Sequence, residues 1–168
     1  MIEKIEPPDS FRLQAAEGWV ELGNAAEARA ELAQISAPLQ EHPEVLEIRW
    51  AVAAFENDWT AALEVARRAT QAHPQLPFGI VHQAYAARRK PGGGLRAAWD
   101  LLFPAMETFP REFLIPYNLA CYACQMGQAD HARILFTRAL GIGDKNHIIQ
   151  MALNDSDLKA LWKEIAAM

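Results

Sequence analysis

Apolar residues follow a helical spacing along most of this chain. They recur at intervals of three and four, and no long run alternates with a period of two. Alanine, leucine, glutamate and arginine dominate these segments, and all four favour helices. Short turn-forming groups interrupt them at 22–24 (LGN), 56–58 (END), 91–94 (PGGG) and 126–128 (MGQ). The pattern predicts an all-α chain of short helices.

The helices form a repeat. Small residues recur at separations of 34, 36 and 34: Ala28, Ala62, Ala98 and Ala132. The turn residues keep the same separations: Gly23, Asn57, Gly93 and Gly127. One pair of antiparallel helices cannot bury its apolar face alone, whereas stacked pairs share a continuous core. The period therefore predicts stacked helix pairs, with an alanine where the two helices of a pair cross closely.

The third unit departs from the pattern in two ways. Its two additional residues fall in the glycine-rich link at 91–94, where a repeat tolerates an insertion. Pro104 lies inside its second helix, where proline removes a backbone hydrogen bond. We expect that helix to kink or break.

The fourth unit carries the fullest motif: Tyr117, Asn118, Leu119, Ala120, Gly127, Ala132, Phe136 and Ala139. With this motif the chain resembles the tetratricopeptide repeat (TPR) proteins, whose unit has about 34 residues. The resemblance implies an all-α, right-handed superhelical solenoid of antiparallel helix pairs. The repeats are expected at about 9–42, 43–76, 77–112 and 113–143, within a single domain over residues 1–168.

Residues 144–168 are expected to form two capping helices after the last repeat. Asp155 or Ser156 can cap the second. Its apolar residues follow at helical spacing: Leu158, Leu161, Trp162 and Ile165. A solenoid exposes its last apolar face unless something covers it. The sequence DSDLKALW also resembles tails that close bacterial repeat proteins of this kind.

Composition and charge narrow the possible partners. The chain has 168 residues, of which 51% are apolar and 22% charged, and a formal net charge of -5. A negative protein repels a polyanion, so nucleic acid is not an expected partner. The N-terminus lacks the pattern of a secretory signal, and no apolar stretch reaches the ~20 residues that cross a bilayer. We expect a cytoplasmic protein without membrane contact.

Two cysteines, Cys121 and Cys124, have the C-x-x-C spacing of redox and zinc sites. A redox pair usually opens a helix after a strand, and structural zinc needs about four ligands, neither of which the sequence offers here. We interpret them as small residues on the inner face or in the core of a helix. An oxidisable thiol or a sensor stays the alternative.

Other catalytic signals are absent from the sequence. There is no nucleophile elbow, phosphate loop or dinucleotide fingerprint. His42 and His73 precede prolines at equivalent joints between repeats, and no histidine has a metal-binding partner at helical spacing. We therefore predict no catalytic residue, no cofactor and no metal.

The resemblance places the first helix of each repeat on the inner, concave face. For the first two repeats this face comprises Leu13, Glu17, Val20, Glu21, Glu44, Glu47, Ala51 and Phe55. The groove is thus expected to be acidic at one end, and then aromatic with a basic rim. Aromatic and arginine side chains carry much of the energy of interfaces. The predicted partner-binding residues are Phe55, Phe78, Tyr85, Arg88, Arg89 and Tyr117; the alternative for the rings is packing between repeats or against the cap.

The leading hypothesis is a non-enzymatic interaction module that binds a peptide or helix of another protein in its groove. A narrower version is a small secretion-type chaperone. The rival is a self-associating oligomer whose interface uses one of Trp50, Trp59, Trp99 or Trp162. An enzyme would depend on the cysteine pair alone.

Overall fold

The structure is a computed structural model that describes residues 4–168. The described chain is helical and contains no strand, so the all-α prediction is confirmed. No helix in this range is long and apolar enough to cross a lipid bilayer. The chain divides within its glycine-rich link into two compact units, Met1–Gly92 (unit 1) and Gly93–Met168 (unit 2).

Unit 1 contributes the following helices: α1 Asp9–Glu21, α2 Ala25–Ala33, α3 Pro43–Phe55, α4 Trp59–Ala72 and α5 Pro77–Arg89, with a short 3₁₀ turn at Ala37–Leu39. Asn24 and Asp58 begin the second helices of the first two pairs. Each accepts a backbone N–H, from Glu27 at 3.2 Å and from Ala61 at 3.0 Å. The first residue of both α3 and α5 is a proline, whose missing N–H would have no partner there.

The helices of unit 1 pack as successive neighbours. α1 contacts α2 and α3, α3 contacts α4, and α4 contacts α5. Ala28 and Ala62 are fully buried, as expected of small residues at helix crossings. The α4–α5 approach is closest at Gly79, where an added Cβ would lie 2.6 Å from the Thr70 nitrogen. Glycine is therefore required at this crossing.

The turns between paired helices use the left-handed backbone conformation. Gly23 and Gly127 have φ of 75°, and Asn57 has φ of 59°. Glycine adopts this conformation without strain and asparagine tolerates it. In the third repeat Gly92, with φ of 72°, takes this conformation rather than the predicted Gly93. The inserted residues shift the turn by one position.

Unit 2 contributes α6 Leu95–Leu102, α7 Ala105–Thr108, α8 Leu114–Gln125, α9 Ala129–Ile142, α10 Lys145–Asn154 and α11 Trp162–Ile165. The expected break at Pro104 is present, because α6 ends two residues before it and α7 begins directly after it. α6 packs against α8, and α8 packs along α9. Ala98 and Ala132 are fully buried here.

The C-terminal segment, residues 155–165, follows α10. A 3₁₀ helix at Ser156–Leu161 runs into α11, so the second capping element is only partly α-helical. The Asp155 carboxylate accepts the Asp157 N–H at 2.9 Å, which is the predicted cap. Trp162 Nε1 donates to the carbonyl oxygens of Ala152 at 2.8 Å and Asp155 at 3.2 Å. These bonds fix the segment to the end of α10.

The helix pairs fall within the predicted repeats. α1–α2, α3–α4 and α8–α9 lie in the first, second and fourth, while α5 and α6 occupy the third. The boundary between the two compact units lies in the link that separates α5 from α6. The assignment of residues 1–168 to one domain stays a prediction.

Candidate functional site

The first helices of the first two repeats, α1 and α3, enclose a cleft of about 400 Å³. We call it the α1–α3 cleft. It is lined by Leu13, Glu17, Val20, Glu21, Glu44, Glu47, Ile48 and Ala51. These residues recur at spacings of three and four, which places them on one face of each helix. The sequence mapping named all of them except Ile48, and Phe55 is the one mapped residue that does not line the cleft.

The floor and walls of the α1–α3 cleft differ chemically. Leu13, Val20 and Ile48 are half-buried and pack against the hydrophobic core of unit 1, so they form an apolar floor. The four glutamates are exposed at its sides. A ligand in this cleft would meet apolar surface below and carboxylates along both edges.

A second cavity, of about 410 Å³, lies between α3 and the start of α5. Its lining consists of Lys4, Pro43, Glu44, Glu47, Leu76, Pro77 and Phe78. Glu44 and Glu47 belong to both cavities, so the surface continues from α1 across α3 to α5. This places Phe78, a predicted contact residue, at the far edge of the acidic surface.

The carboxylates of the cleft repel one another. The pKa of Glu47 is raised, first by partial burial and then by the negative charges of Glu17 and Glu44. Within the described residues, none of the four cleft glutamates has an ion pair with a lysine, arginine or histidine. The negative charge at this surface is therefore not neutralised by nearby side chains.

Three other carboxylates of unit 1 are neutralised. Glu31 pairs with Arg12 at 2.9 Å, Glu56 pairs with Arg29, and Glu41 pairs with Arg68. Unit 1 thus supplies arginines to carboxylates elsewhere and leaves the α1–α3 cleft acidic.

An aromatic cluster holds Tyr85 and Arg89 in place. The Arg89 guanidinium lies 3.5 Å from the ring centre of Tyr85 and 5.4 Å from that of Trp59. Trp50 contacts Tyr85 edge-on at 5.7 Å between ring centres. Two predicted partner contacts are therefore engaged with each other and with neighbouring tryptophans, the packing alternative raised for the rings.

His82 lies in the same cluster and carries no charge at neutral pH. Its ring is 4.0 Å from that of Trp50 and 4.3 Å from that of Phe78, measured between centres. Nδ1 lies 3.0 Å from the Phe78 carbonyl oxygen, which makes Nδ1 the protonated nitrogen. Burial lowers the His82 pKa to about 4. A neutral, oriented imidazole of this kind supports the packing of α5 against α3.

The remaining predicted contacts of unit 1 are exposed to different degrees. Phe55 is 52% exposed at the end of α3, beside Leu22, which is 77% exposed in the turn after α1. The Phe55 ring lies over Gly23 of the same turn. Arg88 is half-buried and already has an interaction within the protein. Among the predicted aromatic contacts Phe55 is exposed, Phe78 and Tyr85 are half-buried, and Tyr117 is buried.

In unit 2 the equivalent face of α8 is covered by the C-terminal segment. Tyr117 is only 4% exposed, and its hydroxyl donates to Asp155 Oδ2 at 3.1 Å. Cys121 Sγ lies 3.5 Å from the same oxygen, and Gln125 Nε2 donates to the Asp157 carbonyl oxygen at 3.0 Å. Tyr117 therefore lies beneath the C-terminal segment of its own unit.

The cysteine pair shows no feature of an activated thiol. Cys121 is buried and Cys124 half-buried, and neither forms a disulfide. Burial, as the largest cause, raises the pKa of the Cys124 thiol, which lowers its thiolate fraction. Among residues 4–168 no three histidine, cysteine or acidic side chains are grouped closely enough to hold a metal ion.

Comparison with known proteins identifies the fold. No protein-family model matches the sequence, and a search of curated proteins found no match. Among solved structures, a thermophilic TPR protein of Thermus thermophilus superposes with a TM-score of 0.73 over 94% of this chain and 82% of its own, at 18% sequence identity. The chain has the TPR solenoid fold. The fold expected from the repeat pattern is thereby confirmed.

Two parts of the TPR surface were not predicted from the sequence. Ile48 joins the cleft floor one residue from the mapped Glu47, since a face is wider than a single line of residues. Arg89 stacks on Tyr85 at the C-terminal end of α5, a contact between residues four apart. The spacing of the second pair is visible in the sequence, but only the structure shows that the two side chains contact each other.

Proposed function

We propose that this chain is a non-enzymatic protein–protein interaction module that binds a peptide or helix of a partner on the first helices of its repeats. TPR folds generally serve protein–protein interaction and are typically not enzymes. The observation that supports this proposal is the surface from α1 across α3 to α5, where two cavities share Glu44 and Glu47. Concave surfaces with an apolar floor and convergent polar groups are typical binding sites.

Phe78 is the proposed aromatic anchor of this surface. It lines the α3–α5 cavity and its ring also packs on His82, so it is held in one orientation before a partner arrives. A pre-oriented ring loses little side-chain entropy on binding. Phe55 is a second proposed contact because it is exposed at the end of α3. Tyr85, Arg88 and Arg89 are proposed to shape the adjoining rim.

Tyr117 is a proposed contact only for a partner that displaces the C-terminal segment. A partner reaches it only by displacing the C-terminal segment, whose Asp155 holds the tyrosine hydroxyl. We therefore assign the first contact to unit 1 and leave Tyr117 to a partner that displaces the tail.

Affinity capture tests this proposal with a matched pair of variants. Phe78→Ala removes the proposed anchor, and Phe103→Ala removes a 47% exposed phenylalanine that directly follows α6 in unit 2. A partner retained by the wild type and by Phe103→Ala, but lost by Phe78→Ala, supports the proposal. Equal retention by all three proteins would place the binding surface elsewhere. Circular dichroism and melting must first show that both variants are folded.

Self-association has one observation in its favour. Trp99 stacks on the exposed Phe103, with ring centres 5.4 Å apart and planes within 17°. Trp50 and Trp59 pack inside unit 1, and Trp162 is bonded to α10. The proposed interface of an oligomer is therefore Trp99–Phe103. A molecular mass that rises with concentration for the wild type and stays monomeric for Phe103→Ala would support it.

A further inference from the structure

We propose that the segment bound in the α1–α3 cleft is a basic amphipathic helix, with an apolar stripe on the cleft floor and lysine or arginine residues on both flanks. This inference rests on the proposed function and specifies its partner. The arrangement of apolar and acidic side chains in the cleft carries it.

The apolar surface of the α1–α3 cleft is a strip that can receive a helix. Leu13 and Val20 on α1 and Ile48 on α3 form a half-buried strip between two packed helices. A groove between two helices accepts the side-chain ridge of a third helix. The residues that face such a strip recur at three and four, as on an amphipathic helix.

The four carboxylates of the cleft lie along both sides of this apolar strip. Glu17 and Glu21 lie on the α1 side, about 6 Å apart along the helix axis, and Glu44 and Glu47 lie on the α3 side about 4.5 Å apart. Acidic groups therefore flank the apolar strip on both sides. Cations at helical spacing on each flank of a bound helix would meet them, whereas acidic peptides and nucleic acid would be repelled.

The carboxylates of the cleft differ from other carboxylates of unit 1 in having no cationic partner among the described residues. Glu31, Glu41 and Glu56 each have an arginine partner, whereas no described cation pairs with any of the four cleft glutamates. Lys4 lines only the adjoining α3–α5 cavity, and its ammonium pairs with Glu6 at 3.4 Å. The α1–α3 cleft thus groups four carboxylates that have no described cationic partner and that an external cation can neutralise.

The positions of the four glutamates suit a cationic peptide better than a metal ion. The cleft glutamates are spread along two helices and do not form a group that can hold a metal ion. A distributed set of carboxylates around an apolar strip matches a distributed set of cations. Partial burial first, and then the charges of Glu17 and Glu44, raise the pKa of Glu47, and a cation in the cleft would offset that repulsion.

The experiment uses two labelled synthetic peptides of about 18 residues, the length of a five-turn helix. The first has leucine on one helical face and lysine on the others. The second has the same composition with leucine and lysine alternating, so that no helical face is apolar. Fluorescence anisotropy measures the binding of each peptide to the full chain. We expect the amphipathic peptide to bind at least about tenfold more tightly.

Two protein variants of equal net charge locate the site. Glu17→Gln/Glu47→Gln neutralises both walls of the cleft, whereas Glu27→Gln/Glu64→Gln neutralises exposed residues of α2 and α4. We expect the dissociation constant of the amphipathic peptide to rise about tenfold for the first variant and to change less than about twofold for the second. Equal weakening by both variants would show attraction to the net charge alone and would overturn the proposal. So would equal binding of the two peptides.

A natural partner distinguishes this inference from the proposed function. If Phe78→Ala and Glu17→Gln/Glu47→Gln both lose the partner, and its bound segment is a basic helix, the inference stands. If only Phe78→Ala loses it, the module stands and the basic class of partner is wrong. If neither variant loses it, both proposals fail.

Discussion

The inner faces of α3 and α8 occupy equivalent positions in the second and fourth repeats, but the α3 face is open and the α8 face is covered. α3 presents Glu47 and Ala51 to an open cleft, while α8 presents Tyr117 and Cys121 to the C-terminal segment. The α8 face is neutral and largely apolar, so the tail can bury it with one carboxylate, Asp155, as the shared acceptor. A repeat of this chain thus exposes its inner face only where no other segment covers it.

Charge explains why the chain covers one face and leaves the other open. Burying the four glutamates of the α1–α3 cleft under an apolar tail would remove uncompensated charges from water, at a cost of several kcal/mol. Burying Tyr117 under the tail costs little, because its hydroxyl finds Asp155. The acidic face thus remains exposed to water.

The largest expected effect follows from loosening the C-terminal segment, which covers α8. Leu158 is fully buried in the C-terminal segment, and Leu158→Ala is expected to lower the free energy of unfolding by about 2–5 kcal/mol. The Cys121 thiol should then react faster with a maleimide. Lys159→Ala, at an exposed neighbouring position, is the control and should change neither quantity. An unchanged Cys121 rate in Leu158→Ala would mean that the segment does not shield α8.

Lowering the pH is expected to destabilise unit 1 through protonation of His82. Its folded pKa of about 4 lies below the ordinary 6.5, so the unfolded chain binds a proton that the folded chain does not. Stability is therefore full above pH 6.5 and is lost as the pH falls toward 4, by up to about 3 kcal/mol.

Denaturant unfolding at about pH 7 and about pH 4.5 measures this contribution. The wild type should lose more stability between the two than His82→Phe, which keeps the ring and removes the titration. Parallel losses in the two proteins would show that His82 is not buried as a neutral base.

The tyrosine hydroxyl offers a smaller test of the covered face. Tyr117→Phe removes the donor to Asp155 and is expected to cost about 1.5 kcal/mol, the lower range for a hydrogen bond to a charged group. Asp155 keeps the Asp157 N–H as a donor, which limits the loss. Tyr122→Phe, which alters a buried tyrosine of the same helix, gives a comparison for hydroxyl removal. No loss in Tyr117→Phe would mean that the hydroxyl bond does not hold the tail.

The smallest expected effect is a gain in stability on the open face. The raised pKa of Glu47 means that the folded chain holds its proton more tightly than the unfolded chain, so this group stabilises at low pH and loses that contribution as the pH rises above 4.5. Glu47→Gln should therefore raise the free energy of unfolding at neutral pH by a few tenths, about 0.2–0.5 kcal/mol. Well below pH 4.5 the difference should vanish. Glu64→Gln, which removes an exposed carboxylate 3.9 Å from Arg67 on α4, is the control and should give no such gain.

Much of the fold was predictable because the repeat places the same residue types at the same structural positions. Ala28 and Ala132 are buried where the period placed them, and Pro104 breaks its helix for a local reason, its missing N–H. Gly79 escaped prediction, since the close approach of α4 at Thr70 depends on how two helices cross. The turn at Gly92 was missed by one residue because several glycines there can adopt it.

The candidate site was predictable in part. The TPR resemblance together with helical periodicity placed Glu17 and Glu47 on the inner faces of α1 and α3, because the face of a residue is a property of each helix alone. Whether a ring on that face is free depends on residues distant in sequence. Asp155, 38 positions from Tyr117, covers one predicted contact, and Trp59 with Arg89 engages another. No local pattern encodes such contacts.

The sequence by itself determined the helix pairs, their period and the cap at Asp155, because these follow from local geometry and side-chain chemistry. With the TPR resemblance it also indicated the acidic character of the first two inner faces. The tertiary structure decided which faces stay open, which carboxylates receive an arginine and which aromatic residues are already engaged. Those outcomes depend on desolvation and pairing between segments far apart in the chain. Both together leave an unneutralised acidic cleft between α1 and α3 and a closed face on α8.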